Sequence, residues 1–132
     1  MRIIPAAVLA IGISVPLAAS ASAAASIIGS WSGRGSVTLT SGQVEPVSCK
    51  VSYESGDDRG KTFVLNARCA TTAGIFVQSG RVVRRSSNSY SGRLYSEQYS
   101  VSGNVSITVS GSRQTISVSS SKGRGRLSLS KR

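Results

Sequence analysis

The side chains that most often carry enzyme chemistry are scarce in this sequence. Its 132 residues include no histidine, two cysteines and five acids, against 16 lysines and arginines. Without histidine, the chain forms no Ser-His-Asp or Cys-His site and lacks the commonest zinc ligand. Three of the acids lie at Glu54 to Gly60, where aspartate and glycine are typical of a turn and the spacing of a calcium loop is absent. A serine–lysine pair stays open as a catalytic alternative, without the strand–helix context that would support it. We therefore expect no enzyme, no metal site and no cofactor.

Cys49 and Cys69 are predicted to form a structural disulfide. If the loop between their strands centres on residues 58–60, an antiparallel register sets Cys49 opposite Cys69 and Tyr53 opposite Leu65. Opposite positions on neighbouring strands come within disulfide range, and an even number of cysteines is typical of oxidised pairs in exported proteins. A redox-active pair is the alternative, but reactive pairs usually lie close in sequence at a helix N-terminus.

Basic residues are the main indication of a partner. They cluster in the middle of the chain and at its C-terminus. The predicted anion-binding residues are Arg81, Arg84, Arg85, Lys122, Lys131 and Arg132. So positive a surface attracts anions at long range, and outside the cytoplasm these are lipopolysaccharide, phospholipid headgroups or anionic glycans. Nucleic acid is not expected, because export and an aromatic content of 5% argue against stacked bases. The alternative is that the charge only keeps a serine-rich protein soluble.

The N-terminus has the pattern of a secretory signal peptide. Arg2 precedes an apolar stretch from Ile3 to Leu17, and small-residue Ala-x-Ala sites follow, so cleavage is expected between about residues 21 and 25. A retained membrane anchor is the alternative, but it needs about 20 apolar residues without such an exit. Residues 26–132 then form one exported domain, periplasmic or secreted, with 15 basic residues, 5 acids and a net charge of +10. No second apolar run is long enough to span a membrane as a helix.

Short alternating segments predict an all-β domain. Apolar and polar residues alternate with period two from Trp31 to Leu39, from Val47 to Tyr53 and from Phe63 to Cys69, and similar segments follow to the C-terminus. About eight or nine antiparallel strands with short connections favour a small up-and-down barrel, since sequential strands usually pair and closure removes exposed edges. A β-sandwich is the alternative architecture.

The predicted interior mixes very small and aromatic residues. Its inward set comprises Trp31, Gly33, Gly35, Tyr53, Phe63, Ala67, Tyr90 and Tyr99. Barrels of about eight strands either fill with side chains or hold one small ligand. Glycine beside aromatic residues is compatible with both, and the short chain favours a filled core.

The start of the first strand resembles a known barrel motif. Gly29-x-Trp31 is similar to the Gly-x-Trp that opens the first strand of lipocalin- and avidin-like barrels. The resemblance implies that Trp31 packs across the closed end of the barrel, beneath an arginine from a late strand. Arg124 and Arg126 are the positions available for that contact, through a cation–π interaction.

A longer pattern from Gly29 to Thr71 resembles a family of small exported proteins. Glycine, tryptophan and valine alternate from Gly29 to Val37, valine, cysteine and tyrosine alternate from Glu45 to Tyr53, and Arg68-Cys69-Ala70-Thr71 follows. This pattern is similar to small exported proteins of alphaproteobacteria, chiefly rhizobial ones. The resemblance implies a bacterial periplasmic location and no particular activity.

These features together predict a non-enzymatic periplasmic or secreted barrel that binds an anionic or amphipathic envelope component. That component is a lipid, lipopolysaccharide or a glycan. One alternative is a protein-binding module, such as a barrel-type periplasmic inhibitor. Another is a structural envelope protein with no discrete ligand.

Overall fold

The computed structural model describes Gly12 and residues 26–132, and every secondary-structure element in this part of the chain is a β-strand. The predicted signal peptide, residues 1–25, lies outside the described residues apart from Gly12. The strands are β1 (Gly29–Leu39), β2 (Val44–Ser55), β3 (Thr62–Thr71), β4 (Gly74–Arg84), β5 (Ser89–Ser96), β6 (Val101–Ser110), β7 (Arg113–Ser120) and β8 (Gly123–Lys131). Across Gly12 and residues 26–132, no helix has the length and apolar character to cross a membrane.

The eight strands form one closed antiparallel barrel. Each strand pairs with the next along the chain, and β8 pairs with β1 to complete the ring. The predicted up-and-down barrel is therefore confirmed with eight strands, and the sandwich alternative is wrong. The basic C-terminal segment is the strand that closes the sheet.

The period-two pattern determines which side chains face the interior. In β3, Phe63, Leu65, Ala67 and Cys69 are buried, while Asn66 and the other intervening residues face outward. The predicted register is confirmed, since Cys49 lies opposite Cys69 and Tyr53 opposite Leu65. A shift of one residue would turn the entire apolar set of a strand outward, so the buried face holds the pairing in place.

Two glycine-rich corners bend the sheet on opposite sides of the barrel. Where β1 crosses β8, a Cβ at Gly35 would overlap the carbonyl oxygen of Arg126, and one at Gly33 would overlap that of Ser128. Between β4 and β5, Gly80 and Gly92 meet backbone carbonyls in the same way. Glycine lets neighbouring backbones approach closely enough to curve a sheet sharply.

The two ends of the barrel differ in packing. The end that holds the β2–β3, β4–β5 and β6–β7 connections is here called the closed end, and the end that holds the β1–β2, β3–β4, β5–β6 and β7–β8 connections is called the open end. Large buried side chains fill the closed end: Ile27, Trp31, Tyr53, Phe63, Tyr90 and Leu129. The Trp31 indole Nε1 donates a hydrogen bond of 2.9 Å to the Ile27 carbonyl, which ties the segment before β1 across this end.

Lys131, and not Arg124 or Arg126, covers Trp31. The Lys131 ammonium lies 5.5 Å from the centre of the indole ring. The register explains the difference, because Trp31 lies opposite Lys131 on β8, whereas Arg126 lies opposite Ser36 and Arg124 opposite Thr38, toward the open end. The expectation for Arg124 and Arg126 is therefore wrong, and a lysine at the end of β8 lies over the indole in place of the predicted arginine.

Candidate ligand-binding cavity

A cavity of about 550 Å³ occupies the open end of the barrel, and all eight strands contribute to its wall. Most of the wall surface is apolar, with Val37, Val47, Leu94 and Leu127 among the side chains that form it. The expectation of a filled core therefore holds only for the closed end. Ligand pockets typically measure roughly 300–1,000 Å³, so this cavity has room for a small molecule.

The cavity exists because inward positions are small near the open end. On β8 the inward positions there are Gly123 and Gly125, and β6 contributes Gly103. A Cβ at Gly125 would meet Val37 Cγ2 at 3.6 Å, which is ordinary contact, so this position has space for a side chain that the sequence does not provide. Toward the closed end, the inward positions of β6 and β8 carry valine, isoleucine and leucine, and aromatic side chains from other strands fill the remaining space.

The predicted disulfide is confirmed and forms part of this wall. Cys49 and Cys69 are bonded at 1.99 Å between the two sulfurs, and both residues are buried. They border the inner part of the cavity, between the apolar wall and the filled core. The bond joins adjacent strands within one hairpin. The presence of a disulfide is compatible with an extracellular or periplasmic protein.

Charged residues lie at the mouth of the cavity. Lys122, in the β7–β8 turn, and Arg124, at the start of β8, border the cavity, together with Glu45 on β2. Of the predicted anion-binding residues, Lys122 is the one that lines the cavity. Arg124, predicted to cover Trp31, lies at the opposite end of the barrel from that ring.

An aromatic pair borders the mouth, with one ring on β4 and the other in the β5–β6 turn. The rings of Phe76 and Tyr99 meet edge to face, with 6.5 Å between their centres. Tyr99, predicted to point inward on a strand, is 55% exposed and lies in the β5–β6 turn. Ser100 has a positive φ of 50° there, which ends the extended backbone before β6 begins.

One buried polar side chain in the wall has no partner. Ser96 is 5% exposed, and its hydroxyl makes no hydrogen bond within the described residues. A buried hydroxyl without a partner costs about 1–3 kcal/mol. The mostly apolar wall suits the cavity to enclosing an apolar group, whereas the Ser96 hydroxyl needs a polar ligand atom or water as its partner.

The other predicted anion-binding residues do not form a single patch. Arg81 lies on β4 opposite Arg93, and Arg85 Nε donates a hydrogen bond of 2.7 Å to the Ser91 hydroxyl. Arg84 lies over the rings of Phe63 and Tyr90, 5.7 and 5.2 Å from their centres, so it packs against the core at the closed end. Lys131 and Arg132 also lie at the closed end, because β8 runs the length of the barrel away from Lys122.

The acidic loop at the closed end has the predicted turn chemistry. The Asp57 carboxylate accepts hydrogen bonds from the backbone N–H groups of Arg59, at 3.1 Å, and Lys61, at 3.2 Å. Desolvation raises the pKa of the Asp57 carboxyl, but the hydrogen bonds from Lys61, Thr62 and Arg59 outweigh it, so the pKa lies below its ordinary value.

The sequence contained a signal for the cavity that its interpretation missed. Gly123-x-Gly125 in the last strand repeats the spacing of Gly33-x-Gly35 in the first. The two glycines occupy inward positions and leave the space, whereas Arg124 and Arg126, between and after them, face outward.

Comparison with known proteins identifies the fold alone. No protein-family model and no curated protein match this chain. Among solved structures, a redesigned β-barrel aligns with a TM-score of 0.66 at 14% identity over 83% of this chain and 95% of that one. Another redesigned barrel, mFAP0 bound to DFHBI, aligns with a TM-score of 0.63 at 15% identity over 80% of this chain and 98% of that one. A de novo designed fluorescence-activating barrel aligns with a TM-score of 0.63 at 14% identity, over 83% of this chain and 98% of that one.

Proposed function

We propose that this protein is a non-enzymatic binding barrel of the bacterial envelope that holds the apolar part of an anionic amphiphile in its open-end cavity. The observation that carries the proposal is the position of the mostly apolar cavity of about 550 Å³ beside Lys122 and Arg124. An acyl chain or similar apolar group would lie against Val37, Val47 and Leu127. The acidic headgroup would then lie near the two cations at the mouth.

The wall favours a lipid over a glycan as the ligand. A glycan carries many hydroxyl groups that need hydrogen-bond partners once they leave water, whereas most of this wall is apolar. An apolar chain gains free energy from leaving water against such a wall. A designed barrel with the same fold is bound to DFHBI, which supports ligand binding within this architecture.

An exported location agrees with this function. The predicted signal peptide, the confirmed disulfide and the net charge of +10 over residues 26–132 favour a periplasmic or secreted protein. Anionic lipids and lipopolysaccharide are abundant in that compartment, and the positive surface attracts them.

The decisive experiment fills the cavity without changing its charge. Residues 26–132, which contain all eight strands, are titrated with dodecanoate by calorimetry. We expect Gly125→Leu to weaken binding about tenfold or more, because the new side chain occupies the space beside Val37. Ser128→Leu adds the same side chain on the outward face of the same strand and is expected to change binding less than about twofold.

A matched pair of ligands tests the role of the cations. The double variant Lys122→Gln, Arg124→Gln should bind dodecanoate about fivefold or more weakly, since the headgroup loses two charge partners. The same variant should bind dodecanol, which has the same chain without the charge, as the wild type does. Equal binding of dodecanoate by the wild type and Gly125→Leu, or no binding of either ligand by the wild type, would show that the cavity is not the site.

A further inference from the structure

Exposed apolar side chains concentrate at the open end. Within Gly12 and residues 26–132, the exposed large hydrophobic residues are Ile28, Val44, Ile75, Val77, Tyr95 and Tyr99. Only Ile28 among them lies at the closed end. Val77 and Tyr95 lie on the outer wall next to the mouth, on β4 and β5. The remaining three belong to the rim itself.

Three of the four hairpins at the mouth each expose one such side chain. Val44, Ile75 and Tyr99 belong to the β1–β2, β3–β4 and β5–β6 hairpins and are 61%, 50% and 55% exposed. The fourth hairpin, β7–β8, carries Lys122. Tyr99 lies in a turn, where Gly, Asn, Asp and Ser are typical, and Val44 and Ile75 are the first and second residues of β2 and β4, next to their turns. The fold does not require apolar side chains at these positions.

The charge of the barrel is distributed unevenly between this rim and the rest. The two cations at the open end, Lys122 and Arg124, are matched there by Glu45 and Glu97. The net charge of +10 over residues 26–132 therefore resides on the walls and the closed end. A rim without net charge loses its hydration at lower cost than the charged walls do. The remaining positive charge attracts the whole barrel toward an anionic surface.

We infer that the open end docks on an anionic lipid bilayer, with Val44, Ile75 and Tyr99 inserted at the level of the headgroups. Tyrosine is enriched at membrane interfaces, where its ring enters the apolar boundary and its hydroxyl stays hydrated. Aliphatic side chains beside it add buried apolar area, as on interfacial segments of peripheral proteins. Tyr99 also contacts Phe76 at the mouth, so a docked barrel would present its cavity to the bilayer. This last step rests on the proposed function, whereas the docking itself does not.

Vesicle co-sedimentation tests the docking. Residues 26–132 are mixed with phosphatidylcholine vesicles and with vesicles that also contain phosphatidylglycerol. We expect binding to the mixed vesicles, and we expect the triple variant Val44→Ser, Ile75→Ser, Tyr99→Ser to lower the partition coefficient about tenfold or more, because the apolar area at the rim is lost. Ile28→Ser removes an exposed aliphatic side chain at the closed end and is the matched control, with binding unchanged.

Three outcomes would overturn the docking. In the first, the triple variant binds as well as the wild type, which would mean that the basic walls bind lipid without orientation. In the second, phosphatidylglycerol does not increase binding. In the third, the wild type binds neither kind of vesicle, as expected if a protein covers this end instead. Folding of the triple variant is checked by its thermal unfolding, which substitutions of exposed residues should shift little.

A fluorescent reporter locates the contact. Tyr99→Trp places an indole at the rim, while the native Trp31 is fully buried at the closed end. Brominated lipids should quench the emission of Tyr99→Trp and leave that of the Ile28→Trp control unchanged; equal quenching of both would contradict an oriented dock.

Gly125→Leu separates docking from ligand binding. This variant should bind vesicles like the wild type but no longer bind dodecanoate. If the wild type itself binds vesicles and does not bind dodecanoate, the proposed function is refuted and the docking is not.

Discussion

The ammonium group of Lys131 lies 5.5 Å from the centre of the Trp31 ring, so the end of the last strand covers the start of the first. The same ammonium donates a hydrogen bond of 2.8 Å to the Ser26 carbonyl, which anchors the segment that precedes β1. The Lys131 side chain, at the end of β8, thus contacts both Trp31 in β1 and Ser26 in the segment before it.

Removal of Lys131 should therefore weaken the closed end. We expect Lys131→Ala to lower the free energy of unfolding by about 1–2 kcal/mol, since it removes a cation–π contact and a hydrogen bond. The emission of Trp31 should also shift to longer wavelength as water reaches the indole. Arg124→Ala is the control, and its stability should stay within about 0.5 kcal/mol of the wild type in denaturant titrations. A larger loss of stability in Arg124→Ala than in Lys131→Ala would contradict this and would support the contact with Trp31 that the Gly-x-Trp resemblance implied for Arg124.

The β1–β8 corner should not tolerate a side chain at Gly35. A methyl group there would overlap the carbonyl oxygen of Arg126, so the strands must separate. We expect Gly35→Ala to cost about 3 kcal/mol or more in the free energy of unfolding, in the range of strained backbone or overpacked sites. Gly125→Ala, in the partner strand, meets only Val37 Cγ2 at 3.6 Å and should be neutral or stabilising by up to about 1 kcal/mol. Similar unfolding midpoints for the two variants would mean that β1 and β8 can accommodate a methyl group at Gly35 without loss of stability.

Removal of the disulfide should lower stability without opening the barrel. The bond joins residues separated by 20 positions, and loop-closure entropy in the unfolded chain corresponds to about 3 kcal/mol for such a loop. We expect Cys49→Ala, Cys69→Ala to lose roughly that amount in chemical denaturation, with circular dichroism of the folded state unchanged. The wild type should lose the same stability in reductant, and the double variant should not respond to reductant. A variant that is unfolded in buffer would show that the bond is required for the fold.

Two buried tyrosines should make the protein less stable in alkaline solution. Burial raises the pKa of the Tyr53 hydroxyl well above its ordinary value, and the neighbouring Tyr90 raises it further. The neutral hydroxyl donates a hydrogen bond of 2.6 Å to Gln114. Burial also raises the pKa of Tyr90, against the opposing effect of the Arg84 guanidinium. Their raised pKa values keep both hydroxyls protonated to higher pH in the folded protein than in the unfolded chain, where they ionise near pH 10. Their contribution is therefore complete below about pH 10 and decreases as the pH rises above it.

The free energy of unfolding measured between pH 8 and 11 checks this. Tyr53→Phe should flatten the alkaline decline and, because it leaves Gln114 buried without its partner, lower stability by about 1–3 kcal/mol at neutral pH. Tyr95→Phe, an exposed position, should keep the full decline. A decline that Tyr53→Phe leaves unchanged would assign the alkaline loss to other groups.

The features that could be predicted from sequence are those encoded locally. Alternation along β2 and β3 determines the buried face, and the loop between them fixes the register. The pairing of Cys49 with Cys69 could therefore be predicted from the sequence. The closed barrel followed from short connections and sequential pairing. These inferences need only neighbouring segments of the chain.

The remaining features depend on relationships around the whole ring. The cation over Trp31 is set by the stagger between β1 and β8, which no local pattern specifies, so Arg124 and Arg126 were the wrong candidates. The cavity results from small inward residues contributed by several strands, and no single one of them predicts a void. Tyr99 was misplaced because the β5–β6 turn contains no glycine, and the positive φ falls on Ser100 instead.

The pairing of β1 with β8 also has a consequence for the rate of folding. The other seven ladders join strands that are consecutive in sequence and can form as hairpins, whereas Leu39 meets Gly123 only after most of the chain has been brought together. Contacts between distant segments incur loop-closure entropy before they gain any stabilisation, which slows folding. We therefore expect ring closure at the Gly33 and Gly35 corner to be the slow step, and substitutions there to lengthen refolding times. The disulfide lies within the β2–β3 hairpin, so it stabilises the folded barrel without bringing β1 and β8 closer together in the unfolded chain.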